Sequence, residues 1–513
     1  MVPSATKSRS SPSSLQAMNP TFNAPDEAAR TSHHGVVPNG VDSGAKIGRE
    51  AEAKLALEHT RISRPVAWTM TLLFLLTIVS VPLLQHVLEI RSNLAQRRAE
   101  IASQGAPQTP ILPRFYDVLG ELPSPAQIRA VKSPQEAWNL VPSAARFKEH
   151  EDALQNDSYV VNWLLPPLQS AMLGVGVGNE QAYVGRVVRN RQWLHYRPDV
   201  DYMTSRGFLD PSLLKVRKRS GDGDSALVQP DPIRAIVDFH RQLKSRGIQL
   251  ILMPTPVKAM MHPESLSSRY VFGQGVLQNP SFSAFEAQLK ALGIEVFDVS
   301  PLLLAEMRRT NAPQYLETDT HWTPAAMELS ARKLGELIRQ KVALSAREPV
   351  NYTRRAKSVA NLGDISEMLR LPAHQTRFLP QKVEIHQVLA PDGELWFPSR
   401  RADVLVLGDS FSNIYSLEGM KWGEGAGFPE QLSFYLQRPV DSITNNAGGS
   451  HVTRERLARG KNRLRGKRVV VWQFAMRDLL IGNWKILELP TLKRAGTNTS
   501  TAPEVKEPVP KQS

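Results

Sequence analysis

The chain contains no cysteine. That single absence excludes a thiol nucleophile, a disulfide framework, cysteine-ligated zinc and iron–sulfur clusters, and it is compatible with an oxidising compartment without requiring one. The twelve histidines are scattered and form no His-Glu-x-x-His or comparable ligand pair, so neither a metal nor another cofactor is expected. No recognised nucleic-acid-binding motif occurs either. The net charge of +14, nearly all of it beyond the apolar run described next, therefore suits anionic lipid or an acidic polysaccharide better than nucleic acid. The densest basic segment, Arg454 to Arg468, reads as the solvated face of a helix between two strands.

Long apolar runs are scarce, and one stands out. Val66 to Leu88 carries no formally charged residue over the length that a bilayer-spanning helix needs. Residues 1–60 before it are rich in Ser, Pro, Ala and Asn without a sustained apolar period, and read as a disordered cytoplasmic tail. Arg61 and Arg64, with Lys46, Arg49 and Lys54 further back, favour an inside N-terminus. A cleaved signal peptide is the competing reading. The long preceding region, the length of the run and the lack of an Ala-x-Ala site directly after it favour an uncleaved anchor at 66–88 in the bacterial inner membrane, with the body exported to the periplasm. Pro82 and Gln85 mark a kink or an approach to the interface rather than a break. The folded body is expected at 98–489, followed by a Thr-, Pro- and Lys-rich tail at 490–513.

Within the body, helical and strand patterns alternate. Pro232 to Arg246 places Ile233, Ile236, Val237 and Leu243 at helical spacing, stops at Gly247 and leads into the buried strand Ile248 to Met253. Ala284 to Leu292 repeats the scheme, stopped by Gly293 before a strand at Ile294 to Val299. Thr323 caps a helix that starts with Pro324 and runs to about Lys341. Further strands are expected at Ala402 to Leu407, Val440 to Ile443 and Arg468 to Phe474. This is the pattern of a doubly wound parallel sheet between helices.

Two motifs supply chemistry to that frame. Asp319-Thr320-His321-Trp322 stands just before the capped helix, and Gly408-Asp409-Ser410-Phe411-Ser412 follows an apolar strand. A serine hydroxyl needs a base within hydrogen-bond reach and a third group that fixes the imidazole tautomer. Ser410, His321 and Asp319 fill those roles, with acid and base ahead of the nucleophile. Taken alone, Gly-Asp-Ser is a common turn and Asp-x-His a common loop ion pair. Their placement at a strand end and a helix entrance favours the triad.

Several further stretches lie in the same order as in a known family. They are Gly178-Asn179-Glu180 with Tyr183 to Arg186, Trp193 to Tyr202, Gly207 to Asp210, Pro254 to Lys258, Gly363-Asp364-Ile365 with Met368-Leu369, and the two motifs above. Together they run from Gly178 to Ser412. The chain resembles the alginate O-acetyltransferase family and its SGNH hydrolase-like domain. The resemblance implies a three-layer α/β/α sandwich with a parallel sheet, circularly permuted so that Asp319 and His321 precede Ser410, and an acyl-accepting Ser410. It also implies an exopolysaccharide substrate and a membrane-bound O-acyltransferase partner that delivers acetyl groups. The Gly-x-Asn-Asp block, whose Asn helps bind the oxyanion in ordinary SGNH esterases, is absent.

Oxyanion donors beyond the Ser410 N–H must then come from elsewhere. Asn445 and Gly448, in Asn445-Asn446-Ala447-Gly448-Gly449, either donate there or form an ordinary strand-to-helix turn. Arg477 either grips a substrate carboxylate or makes a helix-surface ion pair. Lys258 either reaches substrate or is a solvated lysine, and Trp322 is expected to pack. Val350 to Pro372 reads as an insert over the sheet with the character of a lid. Acyl transfer to a polysaccharide is the leading expectation. A carbohydrate acetylesterase with the same triad and a non-catalytic polysaccharide-binding or assembly protein are the alternatives.

Overall fold

The structure is a computed structural model that describes residues 63–104, 108–116, 122–140, 151, 158–219, 228–460 and 462–490. The expected N-terminal tail, and all but the first residue of the C-terminal one, lie outside these. The chain divides into two units at Ser80. In the first, every described residue is exposed and all but Ser63 are helical. This helix, α1, runs Arg64–Gln104 and continues through Pro82 into the second unit. Its 41 residues span about 60 Å, twice the hydrocarbon thickness of a bilayer. It is long and apolar enough to cross a membrane.

The second unit is an SGNH-like α/β fold built on a five-stranded parallel sheet in the order β4-β3-β9-β7-β8. It opens with α2 (Tyr159–Gly174) and the antiparallel pair β1 (Ala182–Val188) and β2 (Arg191–Tyr196), followed by α3 (Arg197–Thr204). Then come α4 (Pro232–Lys244), β3 (Gln249–Thr255), α5 (Phe282–Ala291), β4 (Glu295–Val296), α6 (Ser300–Thr310) and α7 (Pro324–Lys341). A second antiparallel pair, β5 (Thr353–Asn361) and β6 (Gln381–Leu389), brackets the short α8 (Asp364–Met368). The order β7 (Val404–Gly408), α9 (Ser410–Asn413), α10 (Phe428–Leu436), β8 (Val440–Thr444), α11 (Val452–Arg459), β9 (Val469–Ala475) completes the core.

Alternation along the strands makes the three layers. Val404 and Val406, Val469 and Val471, Ile251 and Met253 face one side, where they meet Leu334 and Ile338 of α7 and Leu432 of α10. Leu405 and Leu407, Val470 and Trp472, Leu250 and Leu252 face the other, against Phe239 of α4 and Phe285 of α5. Successive strand residues point to opposite faces, so a sheet covered on both sides reads as a continuous apolar run. Each such side chain stabilises by about 1.5–3 kcal/mol when fully buried.

The expected insert over the sheet is β5, one strand of an outlying ribbon, together with α8. Instead of covering the site as a lid, α8 abuts the Thr318–Thr320 segment: the Ser366 amide donates to the Thr318 carbonyl at 3.3 Å. The basic segment after Arg454 is only partly a solvated face. Arg454 is fully buried over the Trp472 ring, its guanidinium 4.6 Å from the centroid. Arg463 and Lys467 pair with the buried Asp441 at 2.6 and 3.0 Å.

Candidate active site

The turn that carries Ser410 is made where β7 ends. A Cβ on Gly408 would lie 2.2 Å from Ser412 Oγ, so the chain folds back tightly only because residue 408 has no side chain. Asp409 then caps α9, accepting from the Phe411 amide at 2.9 Å and the Ala475 amide at 2.6 Å. From the adjacent β9, buried Gln473 accepts from the Asp409 amide at 3.0 Å and Ser412 Oγ at 2.7 Å. Its Nε2 donates to Asp409 Oδ1 at 2.9 Å and Thr255 Oγ1 at 3.0 Å. Ser410 thus emerges at the carboxyl end of the parallel strands, where open α/β sheets place ligands. Its N–H has no acceptor among the described residues.

Asp319 and His321 come from the segment before α7. Leu316 and Thr323 amides donate to His321 and Gln314 carbonyls at 3.0 and 2.9 Å, drawing the segment into a tight β-like turn. Thr323 caps α7, accepting from the Ala326 amide at 3.3 Å. Trp322 is fully buried, packs on Phe411 and Phe428, and donates from Nε1 to the Phe411 carbonyl at 3.1 Å. This stitch between the two motifs brings the triad together. His321 Nε2 lies 2.8 Å from Ser410 Oγ, and His321 Nδ1 lies 2.7 Å from Asp319 Oδ1.

Asp319 is satisfied on both oxygens. Oδ1 also accepts from the His321 amide at 3.1 Å, while Oδ2 accepts from Trp422 Nε1 at 2.8 Å and the Asp364 amide at 3.0 Å. Burial alone would raise its pKa, but the hydrogen bond from His321 and that imidazole's charge, aided by the Trp422 and Asp364 donors, hold it at about 2. Burial likewise opposes the charged form of His321, and the Asp319 carboxylate outweighs it, so the imidazole pKa is raised. A second carboxylate stands by. Asp364 Oδ2 is 3.8 Å from His321 Nδ1, and burial together with the Asp319 charge pushes it up to about 6. Asp319, His321 and Asp364 lie close enough to hold a cation. Asp319 Oδ1 and His321 Nδ1 are hydrogen-bonded to each other, and His321 Nε2 is turned to Ser410.

The family described as the SGNH hydrolase-like domain of the acetyltransferase AlgX matches residues 218–476, which enclose the whole triad. The chain belongs to this family. Among curated relatives, the probable alginate O-acetylase AlgJ of Pseudomonas aeruginosa is 31% identical over 149 residues, 29% of this chain and 36% of that protein. Its namesake in Pseudomonas syringae pv. tomato is 26% identical over 193 residues, 36% of this chain and 48% of that protein. The chain therefore spans less than half the length of either. Among solved structures, the O-acetyltransferase domain of Pseudomonas putida AlgJ aligns with a TM-score of 0.44 and 20% identity, over 59% of this chain and 93% of that one.

Around the triad of this AlgX-family domain, the other expected residues are placed differently. The Asn445 side-chain amide turns back onto the Ala447 carbonyl. Its neighbour Asn446 is the residue that reaches α9, accepting from Asn413 Nδ2 at 2.7 Å. The Gly448 carbonyl accepts from the Val452 amide at 2.9 Å in the first turn of α11. Lys258 is neither solvated nor turned towards a substrate. It is fully buried and donates to the Leu194 and Glu317 carbonyls at 2.7 and 3.1 Å, tying β2 to the acid–base segment, and burial lowers its pKa to about 8. Arg477 is ion-paired as expected, but inside the fold rather than on a helix surface. Its Nη1 meets the fully buried Asp199 at 3.0 Å, and its guanidinium lies 5.6 Å from the centre of the Phe411 ring.

Trp422, Asp364 and Gln473 are the supports that residue spacing alone does not reveal. Trp422 and Asp364 are 103 and 45 residues from Asp319, which both touch, and Gln473 is 64 residues from Asp409. The recurrence of Gly363-Asp364-Ile365 in the family pattern was the available signal for one of them. Gly363 has φ +89°, and a Cβ there would lie 2.6 Å from the Thr318 carbonyl oxygen. That close approach is what lets the Asp364 amide reach Asp319.

Proposed function

We propose that this chain is a membrane-anchored periplasmic O-acetyltransferase that transfers acetyl groups to hydroxyls of an exopolysaccharide of the alginate kind. The observation that carries the proposal is the continuous hydrogen-bonded relay Asp319–His321–Ser410 inside an AlgX-family domain. His321 Nε2 takes the Ser410 Oγ proton as that oxygen attacks the donor's acetyl carbonyl, and the imidazolium returns the proton to the leaving group. A sugar hydroxyl then gives its proton to His321, attacks the acetyl-serine and leaves acetylated, and Ser410 regains its proton. Asp319 keeps the hydrogen on Nδ1 and stabilises the imidazolium. The Ser410 N–H serves as one oxyanion donor. The relatives named alginate O-acetylase support the substrate class. A membrane-bound O-acyltransferase is the proposed source of acetyl groups, beside which α1 and residues 66–88 would hold the body at 98–489.

The test uses the full chain and its Ser410→Ala variant with a chromogenic acetyl ester, with and without alginate oligosaccharides, and mass spectrometry of protein and sugar. Acetylated sugar from the wild type, reduced by at least about 10³-fold in the variant, is the expected result. Serine-dependent ester cleavage that never reaches a sugar would instead identify an esterase. Equal activity in both proteins would overturn the serine mechanism.

A further inference from the structure

We infer that α2 lies in the lipid interface beside α1, with its apolar face in the outer edge of the bilayer. The sequence carries no formal charge between Asp157 and Glu180, a stretch that contains all of α2. Only one stripe of the helix is covered. Gln169 and Leu173 are buried, and Leu173 packs with Leu194, Ile365 and Leu369. Around that stripe Trp163 is 75% exposed, and Leu164, Leu168 and Met172, one helical turn apart, are 51, 52 and 37% exposed. An interfacial helix ordinarily turns a charged face to water; here the opposite face rests on the protein, so charges are not needed.

The position of α2 along α1 argues for lipid as the occupant. The helix is tied by its first turn to the place where the uncharged run ends. The Val160 amide donates to Gln85 Oε1 at 3.3 Å, the Ser158 hydroxyl to the same oxygen at 3.1 Å, and Tyr159 Oη to Ser92 Oγ at 2.6 Å. Residues before Gln85 in α1 are exposed, and packing begins there. A helix fixed at that level starts at the membrane–water boundary, and its exposed Tyr159 and Trp163 are the residue types that favour this depth. Leu173 shares its cluster with Ile365 and Leu369 of the α8 region, next to Asp364, so the membrane contact would sit one packed layer from the triad.

The inference rests on reading residues 66–88 as a membrane span, and the experiment separates the two. Because the chain has no cysteine, single replacements Leu164→Cys, Leu168→Cys and Met172→Cys in the full chain can each carry one nitroxide label in phospholipid nanodiscs. Leu73→Cys in the span and Lys290→Cys on α5, exposed in the second unit, are the references. Labels on α2 should collide severalfold more with oxygen than with a water-soluble nickel chelate, as at residue 73 and opposite to residue 290. Nickel accessibility on α2 equal to that at 290 would overturn the inference while leaving the span intact. Shielding from both agents would overturn it in favour of a protein partner or second copy, and a nickel-accessible label at 73 would remove the span and the inference together.

Discussion

At the scale of single residues, the proposed triad has a second carboxylate beside it. His321 must be neutral to accept the serine proton, and its pKa is raised, chiefly by Asp319 working against burial. Activity is then present above that raised pKa and lost as pH falls through it. Asp364, itself displaced to about 6, is ionised above that pH and adds a second negative charge 3.8 Å from Nδ1. Asp364→Asn should lower the His321 pKa and move the acid limb of kcat/KM to lower pH by roughly half a unit to one unit. An unmoved limb would show that Asp364 acts only through its backbone amide. Trp422→Phe removes a donor to the charged Asp319 without removing the ring's bulk. A loss of about 1.5–3 kcal/mol of transition-state stabilisation is expected, read as kcat/KM. The hydrogen-bonded grouping of Ser410, His321 and Asp319 was legible because the proposed chemistry needs those residue types at strand and helix ends. Asp364 and Trp422 were not, because a single donor or carboxylate gains its role only from a contact made across the fold.

At the scale of elements, periodicity carried most of what the sequence disclosed. β3, β7, β8 and β9 fall within two residues of the apolar runs that announced them, and α7 begins at its Thr-Pro signal. The strand expected at Ile294 to Val299 is shorter, because Asp298 turns to accept from the Ser300 amide and hydroxyl at 2.9 and 2.6 Å and starts α6. The ribbons β1–β2 and β5–β6 went unread; their faces are unevenly covered and give no clean alternation. Lys258 and Arg454 misled for a related reason, since burial of a cation depends on carbonyls or rings supplied by other elements. The same long-range logic gives Gln473 its weight. It joins β9 to the turn that carries Ser410 by three hydrogen bonds and to Thr255 of β3 by a fourth. Gln473→Leu would leave the Asp409 amide and the hydroxyls of Ser412 and Thr255 without this partner. Destabilisation of about 2–3 kcal/mol is expected from denaturant unfolding, with kcat falling as the turn loosens. Unchanged stability would mean that the turn holds without β9.

At the scale of the whole molecule, export and chemistry have to agree. The proposed transfer to an exported polysaccharide would work only on the outer side of the inner membrane, where acetyl groups would have to be supplied. Lys46, Arg49, Lys54, Arg61 and Arg64 lie within about 20 residues before the apolar run, against Arg91, Arg97 and Arg98 after it. Lys and Arg resist translocation, whereas acidic residues such as Glu89 and Glu100 after the run count little. The proposed topology therefore has the N-terminus inside and the body outside. A folded body with no cysteine meets an oxidising compartment without any pairing to get wrong. Alkaline phosphatase fused after residue 490 should be active in cells and β-galactosidase at the same point inactive. Replacing Arg61 and Arg64 by Glu should shift part of the population towards the opposite pattern, because the remaining basic residues lie further from the run. The reverse result for the unaltered chain would leave Ser410 in the cytoplasm, separated from any exported glycan, and the acetyltransferase proposal would fail on topology even with the relay intact.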